Sequence, residues 1–448
     1  MEEFLKTITE QIRCVKARDG AAQEIRNHIL DQTAAYEQSG DDHDKALEKA
    51  VRDMGDPVEI GIALDAVHRP QLDWRLLAIT LILHIAGLAV MYGAYGSARF
   101  PRQCAYTVLG FAITIGVCFI DYTFIGRCCH IIYVAMTAAM FVFALSGAQI
   151  NGRVPALSSL VYLYVPVFAG ILYRLRGQGW GGIAKGALLA LITAYITTEF
   201  SDRIFIGANI FVICIVLFAA AALKGWFKVS RKSAVCTAIA AIITPVAVLA
   251  FMTFYGVSYG SGYQAMRIKA AINPAKYANA QGYLPIQIRE TLQGASIIGA
   301  YENQVPNELF VSSDLMLTYI IRAYGLLAAA LLIFALAAFI IRAVNITRAQ
   351  KNQLGFIISL GCMLIIAVNC LQGVLENFGY FPLTSVIMPF VTYGGSAAVM
   401  YSIIIGLLLS AHRYEKVLPD TQGTQFAHRK WSINMCHEDG GRVIKIRL

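Results

Sequence analysis

The chain has 448 residues, a formal net charge of +9, 57% hydrophobic residues and only 15% charged ones, with a mean hydropathy of +0.58. A soluble domain carries about 25% charged residues, so the natural solvent for most of this chain is lipid. The positive charge does not point to nucleic acid, because the basic residues sit mostly in short loops beside apolar runs, where they set orientation in a membrane.

Residues 1–70 differ in kind from the rest. Ile25, Ile29 and Tyr36 recur at helical spacing between charged positions, and Ala46, Ala50, Val51 and Met54 share one face of a second helix. Gly55-Asp56-Pro57-Val58-Glu59 then reads as a helix stop and restart, with Asp56 as cap, Pro57 in the first turn and Glu59 completing a capping box. The segment predicts a small helical bundle without a catalytic constellation. The acidic, amphipathic N-terminus lacks the basic and apolar regions of a signal peptide.

After Pro70 the apolar runs predict an all-α polytopic membrane protein with about ten transmembrane helices. They fall near 75–96, 103–121, 130–149, 156–174, 182–199, 204–223, 233–254, 314–341, 354–376 and 386–411, each long enough for a hydrocarbon core of about 30 Å. One set of alternate loops holds Arg127, Arg174, Arg176, Lys224, Lys228, Arg231, Lys232, Arg342, Arg348 and Lys351, whereas the opposite set holds Arg99, Arg102, Arg153 and Arg203. The richer set is expected in the cytoplasm, which places both termini there, including the basic tail 416–448. The long segment 255–313 then lies outside; its tyrosines and isoleucines between charges predict short helices at the membrane surface.

The ten cysteines form no CxxC pair, and Cys118, Cys214, Cys236 and Cys362 lie inside apolar runs, as small buried hydrophobes do. Carboxylates within the spans are few: Asp121 and Glu199 lie near predicted ends, and Glu376 near the outer end of span nine, an interfacial position that weakens its case for function.

The last third of the chain carries a set of short motifs. The long loop reads Gly262-Tyr263-Gln264-Ala265-Met266-Arg267-Ile268, then Asn273-Pro274, Gly282-Tyr283 and Gln287, and leads into Ser312-Ser313-Asp314. Later come Gly379-Tyr380-Phe381-Pro382-Leu383-Thr384 and Pro389-Phe390-Val391-Thr392-Tyr393-Gly394-Gly395-Ser396. This order resembles the SEDS family (shape, elongation, division and sporulation), to which FtsW, RodA and SpoVE belong. The resemblance covers roughly residues 73–415, with Asp73-Trp74, Gln103 and Asn151-Gly152 as minor echoes. Residues 1–70 separately resemble a permease prefix domain.

The resemblance implies a glycosyltransferase that polymerises lipid II, the undecaprenyl-pyrophosphate-linked disaccharide of peptidoglycan, at the outer membrane face. By it, Asp314 matches the carboxylate proposed to deprotonate the acceptor hydroxyl; the same residue, ahead of Leu-Met-Leu, also reads as an ordinary helix cap. Arg267 is the leading candidate for the pyrophosphate, since guanidinium binds phosphate oxygens bidentately, with Arg289 and Gln287 as further candidates. Tyr393, Gly394, Gly395 and Ser396 are either a substrate-cavity wall or a helix-packing motif. Mg²⁺ or Mn²⁺ would offset pyrophosphate charge, and a class B penicillin-binding transpeptidase is the partner the resemblance implies.

The chain also departs from the family. After Asn151-Gly152 there is no tryptophan, the next span reads Tyr164-Val165-Pro166-Val167 in place of Q-P-S-E, and the P-D-x-G ahead of the sixth span survives only as Ser201-Asp202-Arg203. Two other readings therefore stand beside the polymerase: a transporter or flippase for a lipid-linked sugar, and an inactive scaffold for a transpeptidase.

Overall fold

The computed structural model describes residues 1–146, 156–201, 203–258, 263–300, 314–382, 384, 387–415, 417, 432–438 and 441–447. Asn151, Gly152, Arg153, Asp202, Gly262, Ser312, Ser313 and Leu383, singled out in the sequence, lie outside these.

Four helices come first: α1 (Glu2–Gln11), α2 (Val15–Gln38), α3 (His43–Asp53) and α4 (Pro57–Val67). Leu5, Ile8, Ile25, Ile29 and Ala50 form their shared core. The restart at Asp56 is built as its residues suggest, with the Asp56 side chain accepting from the Val58 amide at 2.9 Å and Pro57 in the first turn. Asp65 closes the bundle, accepting from the Arg13 amide and from Arg69, each at 2.9 Å.

The same bundle grips the next helices. Ile12, Ala17 and Ala21 belong to the apolar core of the large helical body rather than to the small one. Lys16 Nζ lies 2.9 Å from Asp121 and 5.0 Å from the centre of the Tyr414 ring.

That body is made of α5 (Trp74–Phe119), α6 (Thr123–Ser146), the pair α7 (Leu157–Leu160) and α8 (Tyr164–Arg174) joined by a 3₁₀ turn, α9 (Gly179–Ser201), α10 (Ile204–Leu223) and α11 (Arg231–Ser258). Shorter α12 (Tyr263–Ile272), a 3₁₀ turn (Pro274–Tyr277), α13 (Tyr283–Gln293) and α14 (Met316–Tyr324) follow, then α15 (Leu326–Ala349), α16 (Gln353–Asn377) and α17 (Gly395–Arg413). Among the described residues, eight helices are long and apolar enough to cross a membrane. Helices α7–α8, α10, α16 and α17 lie mostly inside the bundle. Helices α5, α6, α9 and α15 turn most of their surface outward, with Ile82, Ile131, Leu188 and Phe334 exposed. An apolar exterior around a packed interior is what a bilayer requires.

The first two expected spans are the two helical halves of α5, which meet at the non-helical Gly96 (φ 59°, ψ −156°). One expected boundary is corrected. The span expected at 314–341 is interrupted at Gly325 (φ 91°), so the long helix starts at Leu326 and Asp314 precedes a separate short helix. A Cβ at Gly325 would meet the Ile297 carbonyl oxygen at 2.7 Å. The break is closed by the main chain, with the Leu326 and Leu327 amides donating to the Ser296 and Ile297 carbonyls, each at 3.0 Å.

Buried Asp73 ties the body together at its other end. Its side chain caps α5 through the Leu76 amide at 3.0 Å and accepts from Arg342 Nε of α15 at 2.7 Å. Pro419–Leu448 is a separate compact unit. In it β1 (Ser432–Glu438) and β2 (Gly441–Arg447) pair antiparallel, Ser432 opposite Arg447. Val443, Ile444 and Ile446 supply β-branched residues that suit a strand.

The hydrogen bonds from Arg69 and the Arg13 amide hold the Asp65 carboxyl below its usual range. A depressed carboxyl stabilises the fold above its unfolded pKa of about 3.9 and loses that contribution as pH falls through the lower folded value. Asp65→Ala is expected to cost about 1–3 kcal/mol and to remove that acid-side contribution, read by hydrogen exchange of α1 and α4 amides below about pH 4.

Candidate functional site

Asp314 is half-buried and sits one residue ahead of Leu315, which takes the cap position of α14. Its place is set by Asn377, the last residue of α16. Asn377 Nδ2 donates to the Asp314 carbonyl at 3.0 Å and to the Gly373 carbonyl at 2.8 Å. Its Oδ1 accepts from the Thr318 amide at 2.9 Å and from the Thr318 hydroxyl at 3.0 Å. One buried amide therefore spends both its donors and its acceptor joining the start of α14 to the end of α16.

Tyr95 of α5 feels both Arg99 and Asp314 electrostatically. The Arg99 guanidinium is 5.0 Å from the Tyr95 ring centre and 5.8 Å from that of Tyr393, and the two rings are 5.5 Å apart.

The Tyr-Gly-Gly-Ser stretch enters α17 from this side. The Gly394 amide donates to Gln103 Oε1 at 3.3 Å, and its φ of 149° favours glycine. A Cβ on Gly395 would meet the Tyr106 ring at 3.0 Å, so the second glycine permits close packing on α5. The Ser396 hydroxyl is 3.4 Å from that of Ser159 on α7. Just upstream, Phe390 adopts φ 68°, and its carbonyl oxygen fills the place a side chain would take at Gly87. A left-handed non-glycine residue is held only where its surroundings over-determine it. Here the Phe390 ring packs edge-on to His84 at 5.0 Å and to Phe339 at 5.7 Å. Behind the loop is a cavity of about 30 Å³ lined in part by His84, Gln103, Thr392 and Ser402, room enough for a water.

The other expected residues fall as follows. Arg289 of α13 donates to the Gly379 carbonyl at 2.9 Å, which anchors α13 to the loop after α16, while its buried Nε has no partner among the described residues. Gln287 lies two residues earlier, its own carbonyl accepting from the Thr291 hydroxyl at 2.8 Å. Arg267 is half-buried on α12, a helix packed against α11 and the following 3₁₀ turn.

Glu376, one residue from the end of α16, is 1% exposed. Its Oε1 accepts from Gln372 Nε2 at 3.0 Å and from the Thr384 hydroxyl, and Asn209 of α10 donates to Gln372 Oε1 at 2.5 Å. One turn back, Asn369 accepts from Tyr162 and donates to Tyr401, each at 2.9 Å. The signal for this was present: Asn369, Gln372 and Glu376 share one face of an apolar helix. Tyr95, Arg99, Thr318 and Asn377 carried no such signal, because their roles depend on pairings distant in sequence.

A bundle of apolar helices with breaks at Gly96 and Gly325 defines a multi-pass membrane protein. Two solved structures share the fold. A chain of a peptidoglycan synthase complex, described for its coordination of polymerization and crosslinking, superposes with a TM-score of 0.59 at 18% identity, over 76% of this chain and 98% of that one. The rod shape determining protein RodA of Thermus thermophilus gives 0.53 at 14% identity, over 77% and 97%. The family model of FtsW, RodA and SpoVE, described as cell cycle protein, matches residues 183–417. The chain belongs to this SEDS family.

Curated relatives are distant. A probable peptidoglycan glycosyltransferase FtsW of Trichlorobacter lovleyi is 26% identical over 36% of this chain and 43% of its own length. Stage V sporulation protein E of Bacillus subtilis is 22% identical over 36% and 46%, and the peptidoglycan glycosyltransferase MrdB of Escherichia coli is 24% identical over 35% and 44%. The matches thus span less than half the length of these relatives.

Two substitutions test the geometry. Asn377→Ala removes four hydrogen bonds and is expected to cost about 2 kcal/mol, given the modest worth of such bonds in membrane proteins, seen as a lower thermal midpoint in detergent. Gly87→Ala places a methyl where the Phe390 carbonyl sits and is expected to cost about 1–3 kcal/mol by overpacking, with the loop displaced in a structure of the variant.

Proposed function

We propose that this protein is a peptidoglycan glycosyltransferase that polymerises lipid II at the outer face of the cytoplasmic membrane. The observation that carries this reading is the main chain of Asp314, fixed by Asn377 at the start of a short helix and within electrostatic reach of Tyr95. Ten passes result when α5 counts as two about Gly96 and α11 joins the eight apolar helices. The distribution of loop Lys and Arg then puts both termini in the cytoplasm and the Asp314 end outside.

In this mechanism the acceptor sugar hydroxyl gives its proton to Asp314 as its oxygen attacks the anomeric carbon of the donor, and the bond to the lipid pyrophosphate breaks. The leaving group needs cations. Arg289, with its buried unpartnered Nε, Arg267 and Arg99 are the candidates. Gln287, Tyr393, Gly394, Gly395 and Ser396 would line the sugar path. Among the described residues no three His, Cys, Asp or Glu side chains gather as metal ligands, so Mg²⁺ or Mn²⁺ would ride chiefly on the substrate phosphates. The peptidoglycan synthase complex of similar fold supports a class B penicillin-binding transpeptidase as partner.

A second reading, a transporter of a lipid-linked sugar, draws on the buried polar chain from Tyr162 through Asn369 to Tyr401 inside the bundle. The deciding experiment is lipid II polymerisation by purified protein with Mg²⁺ or Mn²⁺ and a candidate transpeptidase. Wild type should form glycan, and Asp314→Asn should lower the rate by about 100-fold or more while keeping the thermal midpoint. Folded wild type that forms none sinks the polymerase reading and leaves the transporter or an inactive scaffold.

A further inference from the structure

Two turns at the basic end of the bundle are joined into one surface. The turn between α8 and α9 donates its Gly177 amide to the Trp226 carbonyl, in the turn between α10 and α11, at 2.8 Å. Gly177 (φ 79°) and Gly179 (φ 61°) adopt the left-handed backbone that favours glycine. Lys228 lies against them, its Cε 3.7 Å from where a Cβ on Gly177 would sit. Lys185 Nζ donates to Gln178 Oε1 at 3.2 Å. Arg176 ties the turns to α16 as well. Its guanidinium is 3.6 Å from the Tyr173 ring centre and 5.7 Å from that of Trp226, and its Nη1 donates to Gln353 Oε1 at 2.6 Å.

The charge gathered here is not offset by acids. No Asp or Glu occurs between Arg174 and Thr198 or between Arg203 and Arg289. Lys185, Lys228, Arg231 and Lys232 are exposed, and none forms an ion pair among the described residues. Trp226 is 4% exposed, yet its indole N–H, a group that only donates, has no partner among the described residues. Helix α9 begins at Gly179 on the same turn, and the first amides of a helix lack acceptors within it. Positive charge beside unused N–H donors suits an anion with several acceptor oxygens, such as a phosphate.

The adjoining helix face indicates what carries that phosphate. Trp180, Leu188, Leu191 and Tyr195 are exposed along one side of α9, leading away from the turn. Such a stripe suits acyl chains, with Trp180 at headgroup level. We propose that the paired turns bind an anionic phospholipid, its headgroup phosphate on Lys228, Arg231 and the Trp226 N–H and its chains along α9. Basic loops alone set only orientation; the joined turns and the buried indole donor make a specific headgroup site between helices. Gln353 and Asn377, the first and last residues of α16, bond to Arg176 and to Asp314 respectively. The lipid site and Asp314 thus stand at opposite ends of the bundle, and lipid binding does not depend on polymerisation.

The test is native mass spectrometry of the full chain in detergent, with phosphatidylglycerol and phosphatidylcholine of the same acyl chains. Wild type should retain phosphatidylglycerol in preference. Lys228→Gln combined with Arg231→Gln should weaken that binding about tenfold or more at an unchanged thermal midpoint. Lys6→Gln combined with Lys45→Gln removes equal charge from exposed positions of the N-terminal bundle and should leave it as in wild type. Trp226→Phe keeps an aromatic ring but drops the N–H, and should weaken phosphatidylglycerol while leaving phosphatidylcholine unchanged. Equal retention of the two lipids by wild type, or equal losses in the two double variants, overturns the site in favour of net charge. Displacement of phosphatidylglycerol by an equal concentration of glycerol 3-phosphate overturns the lipid in favour of a soluble phosphate.

Discussion

In an apolar solvent every main-chain N–H and C=O must find a partner inside the protein, and this constraint decides where the chain is allowed to stop being helical. Helices α14 and α15 are separated by Gly325, and the amides freed there are taken up by the Ser296 and Ile297 carbonyls. Asn377 does the same work at the start of α14, accepting from the Thr318 amide. A broken helix thus becomes stable, and the irregular backbone it creates is where Asp314 stands. The candidate site is a by-product of how these ends are satisfied: remove Asn377, and the carboxylate loses its fixed place.

Much of the fold was legible in the sequence, since long apolar runs separated by basic loops admit few other solutions. The runs at 204–223 and 354–376 match α10 and α16 closely. The run at 314–341 failed at a glycine. Gly325 sits beside an apolar stretch, and hydropathy cannot distinguish a glycine that packs in a helix from one that ends it. The distinction lies in φ, which the surroundings impose. The turn at Asp56 was legible because all of its determinants are local.

The site was legible in part, and for a related reason. Motif residues Tyr393 to Ser396 are contiguous, so the pattern identifies them without any knowledge of packing. Their partners Tyr95, Gln103, Tyr106 and Ser159 lie more than two hundred residues away. Glu376 lies near a helix end, as the sequence has it, but its burial and the hydrogen bond it accepts from the Thr384 hydroxyl are pairings the sequence does not display. The absence of a carboxylate from the stretch around Tyr162 read as a loss, and the structure gives that tyrosine the amide of Asn369 on another helix as its partner.

The left-handed turn at Phe390 has a wider meaning for the loop it belongs to. Its carbonyl occupies the notch at Gly87, and its ring meets His84 one turn earlier on the same helix. The loop is thus keyed to a single turn of α5, so that a side chain larger than hydrogen at the notch moves the main chain of the loop and the ring contact with His84 together.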